Sequence, residues 1–126
     1  MATGPAPRVA VLADDLIWAT RLAGHLRSAG AEPVAARDHA TFVAALSGAS
    51  AAIVDLTARA YDAVSAIEQA VASGTRVLAV GQHDDLELRK RALAAGAERV
   101  FAYRKLFEAG PRTLEAWLAS PVEASS

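Results

Sequence analysis

The chain predicts an α/β domain, a parallel sheet with helices on both faces. Three observations predict it. Short apolar runs alternate with segments of helical spacing, strand then helix, five times along the 126 residues. The run Ala51-Ala52-Ile53-Val54 is apolar at consecutive positions, the pattern of a strand buried on both faces. Acids stand where strands emerge into loops, Asp14-Asp15 after the first strand and Asp55 at the end of the third.

The elements follow in order. Arg8 to Ala13 is the first strand, and Leu16 to Ala29 the first helix, with Trp18, Leu22, Leu26 and Ala29 on one face. Gly30 ends it. Glu32 to Ala36 is a weak strand whose Pro33 suits a sheet edge. Asp38 caps a short helix carrying Phe42, Ala45 and Leu46. Ala51 to Asp55 is the central strand. Tyr61 to Ala72 is a helix with an Ala60, Val64, Ile67, Val71 stripe. Thr75 to Val80 is the next strand, broken by Gly81. Asp84 and Glu87 have capping-box spacing and open a helix to Ala95, with Glu87 and Arg91 spaced as an i,i+4 pair. Arg99 to Ala102 is the last strand, and Gly110-Pro111 starts a final helix with Pro111 at its first position and Leu114, Trp117 and Leu118 inward.

Composition bounds the function. A chain of this length is one domain, with residues 8–119 folded, 1–7 a loose N-terminal arm and 120–126 a loose tail. Its net charge of −1 gives no electrostatic footprint for nucleic acid or an anionic membrane. The absence of cysteine excludes thiolate chemistry and agrees with a cytoplasmic location. No apolar run approaches the ~20 residues of a membrane span. There is no G-x-G-x-x-G after the first strand and no P-loop.

Right-handed crossovers and this alternation favour the flavodoxin-like order 2-1-3-4-5, a three-layer α/β/α sandwich. In that order strands one and three are neighbours, so Asp14, Asp15 and Asp55 meet at the carboxyl edge, where open α/β sheets bind ligands. Three carboxylates in one crevice either share protons or hold a cation, and oxygen ligands without His or Cys favour Mg²⁺. A carboxylate beside Mg²⁺ can accept a phosphoryl group. One of Asp14 and Asp15 is also expected to cap the first helix.

These residues resemble the receiver domain of bacterial response regulators, the CheY-like chemotaxis type, over nearly the whole chain. The matching pieces are Leu12-Ala13-Asp14-Asp15, Ile53-Val54-Asp55-Leu56 and Ala94-Ala95-Gly96-Ala97-Glu98. The resemblance implies Asp14, Asp15 and Asp55 as weak Mg²⁺ ligands and Asp55 as phosphoacceptor from a sensor histidine kinase. It also exposes departures. The switch Ser or Thr at the end of strand four is Gly81 here. The Lys after strand five falls on Tyr103 and the following Pro on Arg104, with Lys105 two residues late. Leu56-Thr57-Ala58-Arg59 has no Pro or Gly turn signal. The pattern is that of an atypical, or pseudo-, receiver.

The resemblance implies a stand-alone module of a two-component phosphorelay, a kinase substrate without turnover of its own, acting by protein contact. Its partners would be a histidine kinase or another signalling protein, or a second copy through the face of the fourth helix, fifth strand and last helix. The alternatives are a phosphorylation-independent binding module and a small Mg²⁺-dependent phosphoryl-transfer enzyme using Asp55. Gly81, His83, Tyr103, Arg104 and Lys105 are the switch or contact candidates. For His83 the preferred reading is a loop histidine beside a helix cap rather than a pH-sensitive donor. Arg89-Lys90-Arg91 reads as a solvated face, because consecutive helical residues point about 100° apart.

Overall fold

The computed structural model describes residues 6–82 and 84–120. Along them run β1 (Arg8–Leu12), α1 (Leu16–Ser28), β2 (Glu32–Ala36), α2 (His39–Leu46), β3 (Ala51–Asp55), α3 (Ala63–Ala72), β4 (Arg76–Gly81), α4 (Leu86–Ala95), β5 (Arg99–Ala102), α5 (Tyr103–Glu108) and α6 (Arg112–Ala119). The strands form one parallel sheet in the order β2-β1-β3-β4-β5, the flavodoxin-like topology expected from the sequence. Val11 pairs with Ala35 on one side and Ile53 on the other, so β1 and β3 are adjacent. No described helix is long and apolar enough to cross a membrane.

The alternation of side chains across each strand builds two cores. Ala10, Leu12, Ala52, Val54, Val77 and Ala79 face Phe42, Ile67 and Ala92 of α2, α3 and α4. Val9, Val11, Ile53, Leu78 and Val80 face Leu22, Leu26, Leu106, Leu114 and Trp117 of α1, α5 and α6. Each buried Leu, Ile or Phe contributes about 1.5–3 kcal/mol over an exposed one, so β3, buried at every position, anchors both layers.

Four boundaries depart from the sequence reading. Helix α3 begins at Ala63, because the Asp62 side chain accepts from Ser65 N at 3.1 Å and caps it. Its buried face is Ala63, Ala66, Ile67 and Ala70, leaving Val71 40% exposed. The α4 cap is Asp85, accepting from Leu88 N at 3.1 Å, not Asp84, and no Glu87–Arg91 ion pair is formed among the described residues. Gly81 does not break β4 but closes it, paired with Ala102. The final helix is two helices: β5 runs directly into α5, and Pro111 is the N-cap of α6 rather than its first residue. Gly110, with φ +70°, makes the turn between them. The expected arm and tail lie almost wholly outside the described residues.

Candidate functional site

The site is built where β1 and β3 end side by side. Asp55 is the last residue of β3 and is fully buried. Its Oδ1 accepts from Thr57 N at 2.8 Å and Thr57 Oγ1 at 2.7 Å, so the acid closes its own turn without Pro or Gly. Asp14 Oδ2 accepts from Arg59 N at 3.2 Å and Ala60 N at 3.1 Å, tying the following loop down over the pocket. Asp15 caps α1, with Oδ1 accepting from Ile17 N at 2.9 Å and Trp18 N at 3.1 Å. The Tyr61 hydroxyl lies 3.0 Å from Leu12 O and 2.8 Å from Asp55 O. It carries one proton, so it donates to one carbonyl at a time and bridges the two strand ends.

Opposite Asp55 stands Tyr103, the first residue of α5, 5% exposed. Its ring stacks on Trp18 at 4.1 Å between centroids, and Trp18 stacks on Phe107 at 5.4 Å. Arg21 lies over the Trp18 ring at 5.4 Å. The Tyr103 hydroxyl and Asp55 Oδ2 are both buried, and neither has a hydrogen-bond partner among the described residues. They still interact: each shifts the other's titration.

The titration directions follow from burial without a counter-cation. Desolvation pushes the Asp55 carboxyl up, the Thr57 bonds and the Tyr103 hydroxyl oppose it, and the Asp14 charge adds to the rise. Burial, then the Asp55 charge, pushes the Tyr103 phenol far above its ordinary value, and the same two causes raise Tyr61. The raised pKa makes the Asp55 carboxylate a stronger base than an exposed one, but Asp55 is 0% exposed, so no phosphodonor touches it in this arrangement.

The expected Mg²⁺ set fares as follows. Among the described residues no three His, Cys, Asp or Glu groups are gathered to hold a metal ion. Asp14, Asp15 and Asp55 each turn an oxygen onto N–H or hydroxyl donors of the protein instead. The chemistry of the donors suits Mg²⁺; their arrangement does not form its seat.

At Gly81 the missing hydroxyl is replaced by packing. A Cβ there would stand 3.2 Å from Leu56 Cβ and 3.4 Å from its Cδ1, so the Leu56 side chain occupies the space above the end of β4. Arg104 is exposed and pairs with Glu108 at 3.2 Å along α5, turned away from Asp55. Lys105 lines a shallow hollow with Leu93 and Phe101 at the α4–β5 edge. Neither supplies a charge to the pocket. Tyr103 is packing rather than contact surface. His83 lies outside the described residues.

Three parts were missed from sequence. Thr57 makes the turn, and its signal is an Asp two residues before a hydroxyl. Tyr61, which the helical spacing places in α3, lies before it and bridges the ends of β1 and β3. The corner of Arg76, Glu98 and Trp117 joins residues far apart in the chain and carries no local signal. There Arg76 Nη2 donates to Glu98 Oε1 at 2.9 Å and to Trp117 O at 3.0 Å, and Trp117 Nε1 donates to Glu98 Oε1 at 3.1 Å.

No family model matches the chain, and no curated protein matches it in sequence. Solved structures do. The receiver domain of NtrX from Brucella abortus superposes with a TM-score of 0.79 at 18% identity, over 90% of this chain and 99% of that one. A CheY-like response regulator receiver domain protein from Methanospirillum hungatei JF-1 gives 0.73 at 20% identity, over 90% of each chain. A response regulator from Burkholderia pseudomallei, solved with a phosphorylated aspartic acid, calcium ion and citrate, gives 0.74 at 20% identity, over 94% of this chain and 69% of that one. The sheet order, the buried β3 acid and these superpositions agree: the chain has the fold of response-regulator receiver domains.

Proposed function

We propose that this chain is a receiver-like signalling module of the two-component type that works by protein contact in its unmodified state, a pseudo-receiver. The observation that carries the reading is Tyr103. In place of a lysine ammonium, the Asp55 pocket holds a buried phenol clamped by Trp18 and Phe107. Two further observations support it: Leu56 fills the space above Gly81, and the three acids are turned onto protein donors.

A phosphoryl group shifts a conformational equilibrium only by its differential interactions in the two states. Each absent charge-assisted hydrogen bond removes about 1.5–3 kcal/mol of that difference. The Gly81 hydroxyl and the cation are both absent, so Asp55 drives little change toward α5. The partner, a histidine kinase or another signalling protein, meets the face of α4, β5 and the last helix, α6, as it stands, where Leu93 is 45% exposed beside Lys105.

The test is backbone NMR with beryllofluoride and Mg²⁺, alongside intact-mass spectrometry after exposure to a small phosphodonor. The expected result is no phosphoryl adduct and shifts confined to residues around Asp14 and Asp55. Shifts running through Tyr103 to Trp117 would overturn the reading, as would stoichiometric modification.

A further inference from the structure

Helix α4 sits on the sheet more loosely than α3. Ala63, Ala66, Ile67 and Ala70 of α3 are buried, but only Ala92 of α4 is. Leu86 is 63% exposed, and Leu88 is only half-buried against the core. A cavity of about 370 Å³ is left between α4, the loop after β3 and the end of β4. That size falls in the roughly 300–1,000 Å³ range of small-molecule sites. Leu56 and Gln82, the residues that follow β3 and β4, line it, so it lies at the carboxyl edge of the sheet, where open α/β folds take ligands.

The lining divides by chemistry. Leu56, Leu88 and Val100 give it an apolar part. Arg59, from the loop after β3, and Arg89, from α4, give it two cations. Asp85 is the one acid, so two positive charges less one negative leave the lining at +1. Neither arginine has an ion-pair partner among the described residues. Arg89 is half-buried, and a guanidinium drawn partly out of water without a counter-charge is costly. Asp85, one helical turn before it, turns Oδ1 onto Leu88 N at 3.1 Å instead. The loop that carries Arg59 is held by main-chain bonds, from Arg59 N and Ala60 N to Asp14 Oδ2, which leave its guanidinium free.

We propose that this cavity binds a small aliphatic carboxylate. Its head accepts from Arg59 and Arg89, whose planar guanidinium groups match a carboxylate. Its hydrocarbon part covers Leu56, Leu88 and Val100 and leaves water as it does so. The charge selects, because an aliphatic amine of the same shape meets two cations and one acid. Two sources share this chemistry, a free branched or short-chain acid and an aliphatic α-amino acid, whose ammonium falls to Asp85. The ligand also touches Leu56, the side chain that stands over Gly81, so its binding bears on the closure of the Asp55 pocket without any phosphoryl group. The site goes beyond the pseudo-receiver reading and does not rest on it.

The experiment titrates the full chain, without phosphodonor or Mg²⁺, with isocaproate, with leucine and with isoamylamine. The three share one branched skeleton and carry a carboxylate alone, both charges and an ammonium alone. Amide NMR shifts read both affinity and place. Isocaproate is expected to give saturable shifts at Leu56 to Arg59, Leu88, Arg89 and Val100, weaker as salt rises, and isoamylamine none. Leucine distinguishes the sources: tighter binding than isocaproate assigns the site to an amino acid, weaker binding to a free acid. Arg59→Gln and Arg89→Gln are each expected to weaken isocaproate binding about tenfold or more. Arg59 is exposed and its bond to Asp14 is from the main chain, so Arg59→Gln keeps the fold and carries the test if Arg89→Gln does not. No saturable shift with isocaproate or leucine, shifts placed elsewhere, equal binding of isoamylamine, or unchanged affinity in both variants would overturn the proposal. None of these outcomes bears on the pseudo-receiver reading, which beryllofluoride and the phosphodonor test at Asp55.

Discussion

Asp55 and Glu98 are two carboxylates, each set against an aromatic residue from the last quarter of the chain, and they titrate in opposite directions. Glu98 takes two bonds from Arg76, at 3.0 and 2.9 Å, and one from Trp117 Nε1, and is held below the ordinary carboxylate range chiefly by the Arg76 bond. Asp55 takes two bonds from Thr57 and faces Tyr103, and burial pushes it up. Both acids have donors, and only one has a cation. Neutral donors fix where a carboxylate sits, but they do not offset the loss of water around its charge. With a phenol where the resemblance expects an ammonium, the acid at the head of β3 is a packed polar residue under strain from its own charge.

Removing the cation from the Glu98 corner is the largest test. Arg76→Met keeps the aliphatic stem and deletes three hydrogen bonds, leaving Glu98 with Trp117 alone. The expected loss is about 2 kcal/mol at neutral pH, the scale of hydrogen bonds to charged groups. Urea denaturation measures it. The pH dependence changes too. Glu98, lowered in the fold, contributes stability that is present above its ordinary value of 4.5 and lost as pH falls through the lowered one. In the variant that acid-side loss shrinks. A change under about 0.5 kcal/mol would place Arg76 among ordinary surface pairs and dissolve the contrast.

Asp55→Asn sharpens the contrast from the other side. Asn keeps the shape and the Oδ1 acceptor for Thr57, removes the buried charge, and places an N–H donor where Oδ2 lacks a partner near the Tyr103 hydroxyl. The variant is expected to be more stable than the native chain by about 1–3 kcal/mol at neutral pH, the cost of leaving a buried polar group without its partner. The sign follows from the raised pKa. In the window between the ordinary 3.8 and the raised value the folded state binds the extra proton, so native stability falls as pH rises through that window and stays lower above it. The Asn variant loses this slope, and the two curves meet at low pH. Destabilisation by Asn at neutral pH would mean that the Asp55 charge has a counter-cation in solution.

The sheet was legible because its signals are local. Alternation of apolar runs with helical segments gives the element order, and a run buried on both faces marks β3 as central. Asp38 announced itself as a cap by position, and of Asp14 and Asp15, either of which suits the start of α1, the structure uses Asp15. The convergence of Asp14 and Asp55 on one edge also followed from topology. What the edge does with its acids was not legible, because it depends on contacts between distant residues. Arg59 and Ala60 N–H groups reach Asp14 across some 45 positions. The stack of Trp18 on Tyr103 and the Glu98 corner span still more or run between elements with no common pattern. The break at Gly110 was visible as a helix start, yet the short α5 before it was not, since nothing caps it: α5 has no side-chain cap bond and continues β5 without a turn.

The smallest effect concerns Gly81. The sequence reading treats it as a lost hydroxyl, whereas the structure makes it part of the packing that closes the pocket. A Cβ at this position meets Leu56 Cβ at 3.2 Å, tighter than comfortable contact but not a prohibitive clash. Gly81 lies in a strand without positive φ, so a side chain there also restricts the unfolded chain, which favours the fold by about 0.4–1 kcal/mol. Against that, displacing Leu56, only 6% exposed, gives up packing worth about 1–2 kcal/mol. Gly81→Ser is therefore expected to lose about 0.5–1 kcal/mol in the native chain. In a Leu56→Ala background the Cβ contact at 3.2 Å stays but those with Cδ1 and Cγ at 3.4 and 3.7 Å go, so the loss is expected to shrink without vanishing. The double-mutant cycle, read by urea denaturation, isolates this coupling. An equal loss in both backgrounds would show that the Leu56 side chain beyond its Cβ is not what the glycine accommodates, and the closed Asp55 pocket would need another cause.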